Sequence, residues 1–232
     1  MKKIGIIIFI IALFIGLIFA KVFSFGNTSA RFFNFSFSSS EKGSGNVISE
    51  KREVTNFEQV DVGGNFQVEI TAQKDFSVEV LADDNLLPFI RTEVRGGVLR
   101  IKTEKRIESK NPIIVKISAP NIEDLDVSGA SKAILTNLSN ESLQIHTSGA
   151  SKVEISGTTL NLEINVSGAS KINAENLKAE NVSVDASGAS NVSVSVSNEL
   201  KVDASGASNI SYTGTPTILE KKTSGASNVK QR

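Results

Sequence analysis

From Leu125 onward the chain alternates apolar and polar residues in short runs, and the runs recur around one tetrapeptide. SGAS begins at Ser128, Ser148, Ser167, Ser187, Ser205 and Ser224, at spacings of 20, 19, 20, 18 and 19 residues. Relative to the alanine of each SGAS, one apolar column lies five residues before, from Leu125 and Ile145 to Val202. Another lies three before (Val127, Val166, Ala204), a third three after (Ala133, Val153, Ile172) and a fourth five after (Leu135, Ile155, Val194). Each repeat therefore predicts two short strands with one buried face each, joined by SGAS.

No helical pattern fills the gaps between repeats, so the repeats must bury their faces by stacking. Strand on strand in parallel, at about 4.8 Å per coil, turns each apolar column into a continuous inner stripe. The expected fold is all-β, a parallel β-helix solenoid of about 19 residues per coil. SGAS then reads as its corner. Gly129, Gly149, Gly168, Gly188, Gly206 and Gly225 would supply positive φ or close backbone approach. The alanines are expected to face inward at a tight corner, and the serines to bond to backbone or to one another.

The first half carries the same frame less regularly. Asp61-Val62-Gly63-Gly64, then Val68 and Ile70, overlays Asp126-Val127-Ser128-Gly129, then Ala133 and Leu135. The segments 76–82, 89–94, 97–103 and 113–120 alternate as strands. Gly96-Gly97 and Asn111-Pro112 mark turns, and ADDNLLPF (82–89) breaks the pattern as a short helical turn. One β-helix domain is expected over 47–232, irregular over 47–120 and regular over 121–232. At its far end Lys221 replaces the aliphatic residue of its column, which would guard an open sheet edge.

Ahead of this domain, Ile4 to Ala20 run 17 residues without a charge, between Lys2-Lys3 and Lys21. As a helix this run spans about 26 Å, near a bilayer core of about 30 Å. Residues 1–23 read as a signal-anchor helix or a signal peptide. The anchor is favoured, because the apolar run exceeds the usual signal-peptide core and Ile18 spoils a cut after Ala20. Either way the remainder is exported. Residues 24–46 read as a Ser/Gly/Phe-rich linker, in which Phe33, Phe35 and Phe37 alternate with polar residues.

Composition narrows the chemistry. Lys plus Arg equals Asp plus Glu, at 25 each, so no basic excess marks nucleic acid as a partner. Cysteine is absent, which excludes disulfides, thiolate sites and a lipoprotein anchor. The only histidine, His146, has no second histidine or cysteine as partner, and no cofactor is implied. Two outward columns carry side chains worth testing. Two residues after each alanine stand Lys132, Lys152 and Lys171, then Asn191, Asn209 and Asn228. The lysines would hold an anionic glycan or a phospholipid headgroup; the bland alternative is a solvated ladder with Asn–Asn hydrogen bonds. Four residues before each alanine stand Asp126, His146, Asn165, Asp185, Asp203 and Lys222. Asp185 and Asp203 would be neighbours, as a cation site or as the carboxylate pair of a polysaccharide-cleaving enzyme, against a solvated face.

The frame Phe57 to Ile70, the segment DDNLLPFIRTEVRGGVLRIKT and the segment PIIVKISAPNIEDLDVSGASKA together resemble the putative auto-transporter adhesin, head GIN domain family of bacterial envelope proteins. The resemblance covers about Val54 to the C-terminus. It implies a right-handed β-helix outside the cytoplasm and supplies no catalytic residues. The sequence thus points to a non-enzymatic, membrane-tethered envelope module with an adhesin-like role, contacting the membrane through its N-terminal helix and a glycan or another envelope protein through its surface. A polysaccharide-active enzyme and a structural spacer are the alternatives, and oligomeric state is left open.

Overall fold

The computed structural model describes residues 40–232. The expected N-terminal helix and most of the expected linker lie outside the described residues. In chain order the strands are β1 (Glu41–Lys42), β2 (Val47–Arg52), β3 (Gln59–Gly64), β4 (Gln67–Ala72) and β5 (Ser77–Asp83). After a 3-10 turn at Leu87–Phe89 come β6 (Ile90–Arg95), β7 (Val98–Thr103), β8 (Ile107–Glu108), β9 (Ile114–Ala119) and β10 (Asp124–Gly129). The long strands follow: β11 (Lys132–Thr147), β12 (Lys152–Val166), β13 (Lys171–Ala186) and β14 (Asn191–Ala204). The chain finishes with β15 (Asn209–Thr213), β16 (Ile218–Thr223) and β17 (Asn228–Gln231).

These strands wind into an all-β solenoid, with five turns between the first SGAS and the last. On one face β7, β3, β10, the second halves of β11 to β14, and β16 pair in parallel in that order. On the other face β9, β4, the first halves of β11 to β14, β15 and β17 do the same. The expected overlay of the first half is met residue for residue. Asp126 pairs with Asp61, Val127 with Val62, Ser128 with Gly63, Gly129 with Gly64, Ala133 with Val68 and Leu135 with Ile70.

Stacking order departs from chain order at one place. After β4 the chain drops below it, so that β7 and β9 lie beneath β3 and β4. The chain then climbs past that level to place β10 on top of β3. The link is held by Glu123 N–H donating to the Glu58 carbonyl at 2.7 Å, with Ile122 fully buried. Antiparallel strands close the lower end: β6 on β7, β5 on β9, and β2 outside β5. Phe57 and Phe66 are buried at this end, and Phe57 meets Phe76 with ring centroids 5.1 Å apart. β1 pairs with β8, so the folded unit takes in Glu41 and Lys42 of the segment expected as linker.

Two strands per repeat were expected; between successive corners the structure has one strand of 14–16 residues in β11 to β14, bent midway. Register shifts at the bend, such as that between Leu135 and Leu138, absorb the unequal coil lengths. Leu138, Thr159, Leu177, Ala179 and Val196 are buried there and form an additional inner set.

Candidate functional site

At the corner, the six SGAS glycines have φ between 69° and 84°. A Cβ on any of them would lie 2.4–2.6 Å from the carbonyl oxygen of the glycine one coil below. That carbonyl is already engaged: Ala169 N–H, for example, donates to the Gly149 oxygen at 2.8 Å. Glycine meets two requirements here, a left-handed conformation and backbone-on-backbone contact.

The alanine column does not face inward, contrary to expectation. Ala130, Ala150, Ala169, Ala189 and Ala207 are exposed, and the buried member of each corner is the second serine, Ser131, Ser151, Ser170, Ser190 or Ser208. The reason is parity. Counting by twos from inward Val127 to inward Ala133 passes through Gly129 and Ser131 and leaves Ala130 outside. The buried hydroxyls find backbone partners, as buried polar groups must. Ser170 Oγ accepts from Ser151 N–H at 3.3 Å, and Ser190 Oγ donates to the Ser187 carbonyl at 3.1 Å. In the lowest such corner Phe66 occupies the serine's place, and its N–H donates to Ser131 Oγ at 3.2 Å.

The lysine column is in register. Lys132 pairs with Lys152 and Lys152 with Lys171, and the column continues through Asn191, Asn209 and Asn228. Its charge is partly answered within the face. Lys152 Nζ lies 2.6 Å from Glu154, and that hydrogen bond, aided by Lys132 and Lys171, holds the Glu154 carboxyl below its usual value against a smaller opposing effect of burial.

The aspartate column is also in register and longer than the sequence showed: Arg100, Asp61, Asp126, His146, Asn165, Asp185, Asp203, Lys222. Burial, then Asp61, raise the Asp126 carboxyl above its usual range. Burial raises Asp124 as well, where Oδ1 has no hydrogen-bond partner. Asp185 and Asp203 are adjacent and exposed. A shallow cavity of about 300 Å³ takes in Asp126, His146, Asn165 and Asp185 but leaves Asp203 outside. Among the described residues no group of three or more His, Cys, Asp or Glu is placed to hold a metal ion.

The model of the putative auto-transporter adhesin, head GIN domain, matches residues 56–216. The chain belongs to this family. Among solved structures, this GIN-domain protein is similar to a putative adhesin from Bacteroides fragilis, with 19% identity over 82% of this chain and 99% of that one, and a TM-score of 0.69. A putative adhesin from Parabacteroides merdae has 19% identity over 82% of this chain and 98% of that one, with a TM-score of 0.56. A putative lipid binding protein from Parabacteroides distasonis has 17% identity over 84% and 100%, with a TM-score of 0.51. At such identities the likeness concerns the fold of this GIN domain. No curated protein matches the chain.

Two features of the GIN domain escape the column-by-column reading. The first is a second column beside the lysines, Glu154, Asn173, Ser193, Ser211 and Lys230, outward except at buried Ser211. Counting two residues on from each Lys or Asn would have found it. The second is buried Asp83. It accepts from Ser109 Oγ and Asn111 Nδ2, both at 2.9 Å, and hydrogen bonding, that of Asn111 foremost, lowers its pKa.

Proposed function

We propose that this GIN-domain protein is a non-enzymatic, extracytoplasmic module that presents ladders of side chains on a solenoid to a component of the cell envelope. In this reading the N-terminal apolar segment tethers it to the membrane. The winding is right-handed, the hand that crossover connections between parallel strands overwhelmingly take. The observation that carries the proposal is the register of the outward columns across consecutive coils, which makes an extended polar surface. Family membership supports an adhesin-like role outside the cytoplasm. An enzymatic reading would have Asp185 and Asp203 share a cleft, and the cavity beside them takes in only one.

The test uses the full chain in phosphatidylcholine nanodiscs, exposed to fractionated bacterial envelope and to immobilised envelope glycans. Retention on at least one fraction is expected, weakened about tenfold by the Lys132→Ala, Lys152→Ala, Lys171→Ala triple variant. Retention on none would overturn the proposal, and retention unaffected by the variant would remove the lysine stripe from it. For the tether, the expressed chain is expected to sediment with membranes and to expose Lys201 to a protease added outside the cytoplasm; a cytosolic, protected chain would refute it.

A further inference from the structure

We propose that a groove at the C-terminal part of the first-strand face binds an acidic polysaccharide laid along the solenoid axis, one sugar unit per coil. The inference rests on the surface-binding reading above and gives it a site and a ligand class. The groove has a volume of about 450 Å³ and runs from Lys171 to Arg232. Its floor is the continuous pair of columns Asn191, Asn209, Asn228 and Ser193, Ser211, Lys230.

What singles it out is the state of its carboxamides. Elsewhere on the solenoid a second asparagine ladder is satisfied internally. Asn181 donates to Asn161 Oδ1 at 3.0 Å, Asn198 to Asn181 Oδ1 at 2.8 Å, and Thr217 Oγ1 to Asn198 Oδ1 at 3.1 Å. The expected Asn–Asn bonds of the groove ladder are missing: among the described residues, no side-chain hydrogen bond joins Asn191, Asn209 and Asn228 to one another or to a neighbour. Three exposed carboxamides, each with two donors and an acceptor, recur at about 4.8 Å along a straight line. That repeat is close to the length of a pyranose unit along an extended glycan. Ser193 and Ser211 are bonded to each other at 2.9 Å; Ser211 is buried and serves only as floor, while the half-buried Ser193 oxygen retains acceptor capacity.

Charge then selects among glycans. The side chains of Lys171, Lys230 and Arg232 line the groove against one side-chain carboxylate, Glu175, which pairs with Arg232, so cationic side chains outnumber anionic ones three to one. No aromatic residue lines the groove, so the stacking platform that neutral sugars use is missing from it. The two apolar lining residues, Val192 and Ile210, are each 1% exposed, so no apolar side chain is offered to an acyl chain. Hydroxyl-rich and anionic together describe a polymer of uronic acids better than a lipid.

The full chain in phosphatidylcholine nanodiscs is titrated with polygalacturonate, with dextran as the neutral glycan, and with vesicles containing phosphatidylglycerol. Salt-sensitive binding of polygalacturonate and none of dextran is expected. Lys230→Ala with Arg232→Ala should weaken it about tenfold, and Asn191→Ala with Asn209→Ala about fivefold. Asn181→Ala should leave it unchanged, and circular dichroism should show each variant folded. Equal binding of dextran, affinity indifferent to the groove variants, or capture of anionic vesicles without polygalacturonate would each overturn the inference. If envelope fractions are retained and polygalacturonate is not, the groove inference falls alone; if neither is retained, the proposed function falls with it.

Discussion

Substituting Gly168 by alanine tests why the corner repeats. Gly168 sits mid-stack at φ +83°, and its new Cβ would stand 2.5 Å from the Gly149 carbonyl oxygen and 3.0 Å from the Gly149 nitrogen. Both are backbone atoms fixed by the coil below, so no side chain can swing away. The left-handed conformation alone costs an alanine about 1–2 kcal/mol. Relieving the contact stretches the Ala169 to Gly149 hydrogen bond, worth about 0.5–1.5 kcal/mol, and displaces packed columns, which adds about 1–3 kcal/mol by analogy with overpacked cores. The expected loss is about 2.5–6.5 kcal/mol. Gly97, in the turn between β6 and β7, is the control. Its φ is +80°, and a Cβ there meets nothing within 4 Å. Gly97→Ala should lose only the conformational part, about 1–2 kcal/mol. Urea unfolding followed by circular dichroism, with hydrogen exchange to localise the loss, measures both. Asparagine sharpens the contrast, since it tolerates positive φ: Gly97→Asn should be milder than Gly97→Ala, and Gly168→Asn as damaging as Gly168→Ala. Equal losses at the two positions would show that backbone conformation, not contact between coils, explains the glycine column.

Asp83→Ala should loosen residues 107–111, because it strips the partners from Ser109 and Asn111; faster amide exchange confined to that segment and to β1, which pairs with β8, is the readout. Acidification should act the same way. Asp83 and Asp84 have pKa values lowered from 3.8, so their contribution is complete above 3.8 and is lost as pH falls through the lower folded values. Asp124 and Asp126 have raised values and the opposite sign: their ionisation opposes folding, and acid relieves it as pH falls through the folded values, so Asp126→Asn should stabilise the protein at neutral pH, read as a higher urea midpoint. Lys221→Val should increase self-association in sedimentation velocity, since Lys221 pairs with Val202 and lays its ammonium 4.9 Å from the Tyr212 ring at the open end of the stack.

How much of this was legible can be followed residue by residue. Period two around SGAS carried the strands, and the near-constant spacing carried the parallel stack, because every coil repeats one geometric problem. The Gly63-Gly64 overlay was legible for the same reason. The alanine column was misassigned although parity was available in the sequence; the small size of alanine suggested an interior that Ser131 and its equivalents occupy. The bend set was hidden because register shifts vary the offset from the corner alanine: Leu138 and Leu177 lie eight residues after theirs, Val196 seven and Thr159 nine.

The sequence alone determined that this chain stacks, which residues face inward on the straight parts of each coil, and where glycine is required. Those are local properties, set by alternation and backbone conformation. Only the tertiary structure decided that β7 and β9 lie beneath β3 and β4, because two parallel neighbours of equal apolar character are interchangeable until the connecting segments close around them. It decided too that one asparagine ladder bonds to itself while the Asn191, Asn209 and Asn228 ladder does not. The bonded ladder is not a strict column: Asn181 pairs with Glu199, so Asn198 reaches Asn181 from one residue off register, beside a register shift, whereas Asn191, Asn209 and Asn228 stay in register, and that offset exists only in the assembled coil.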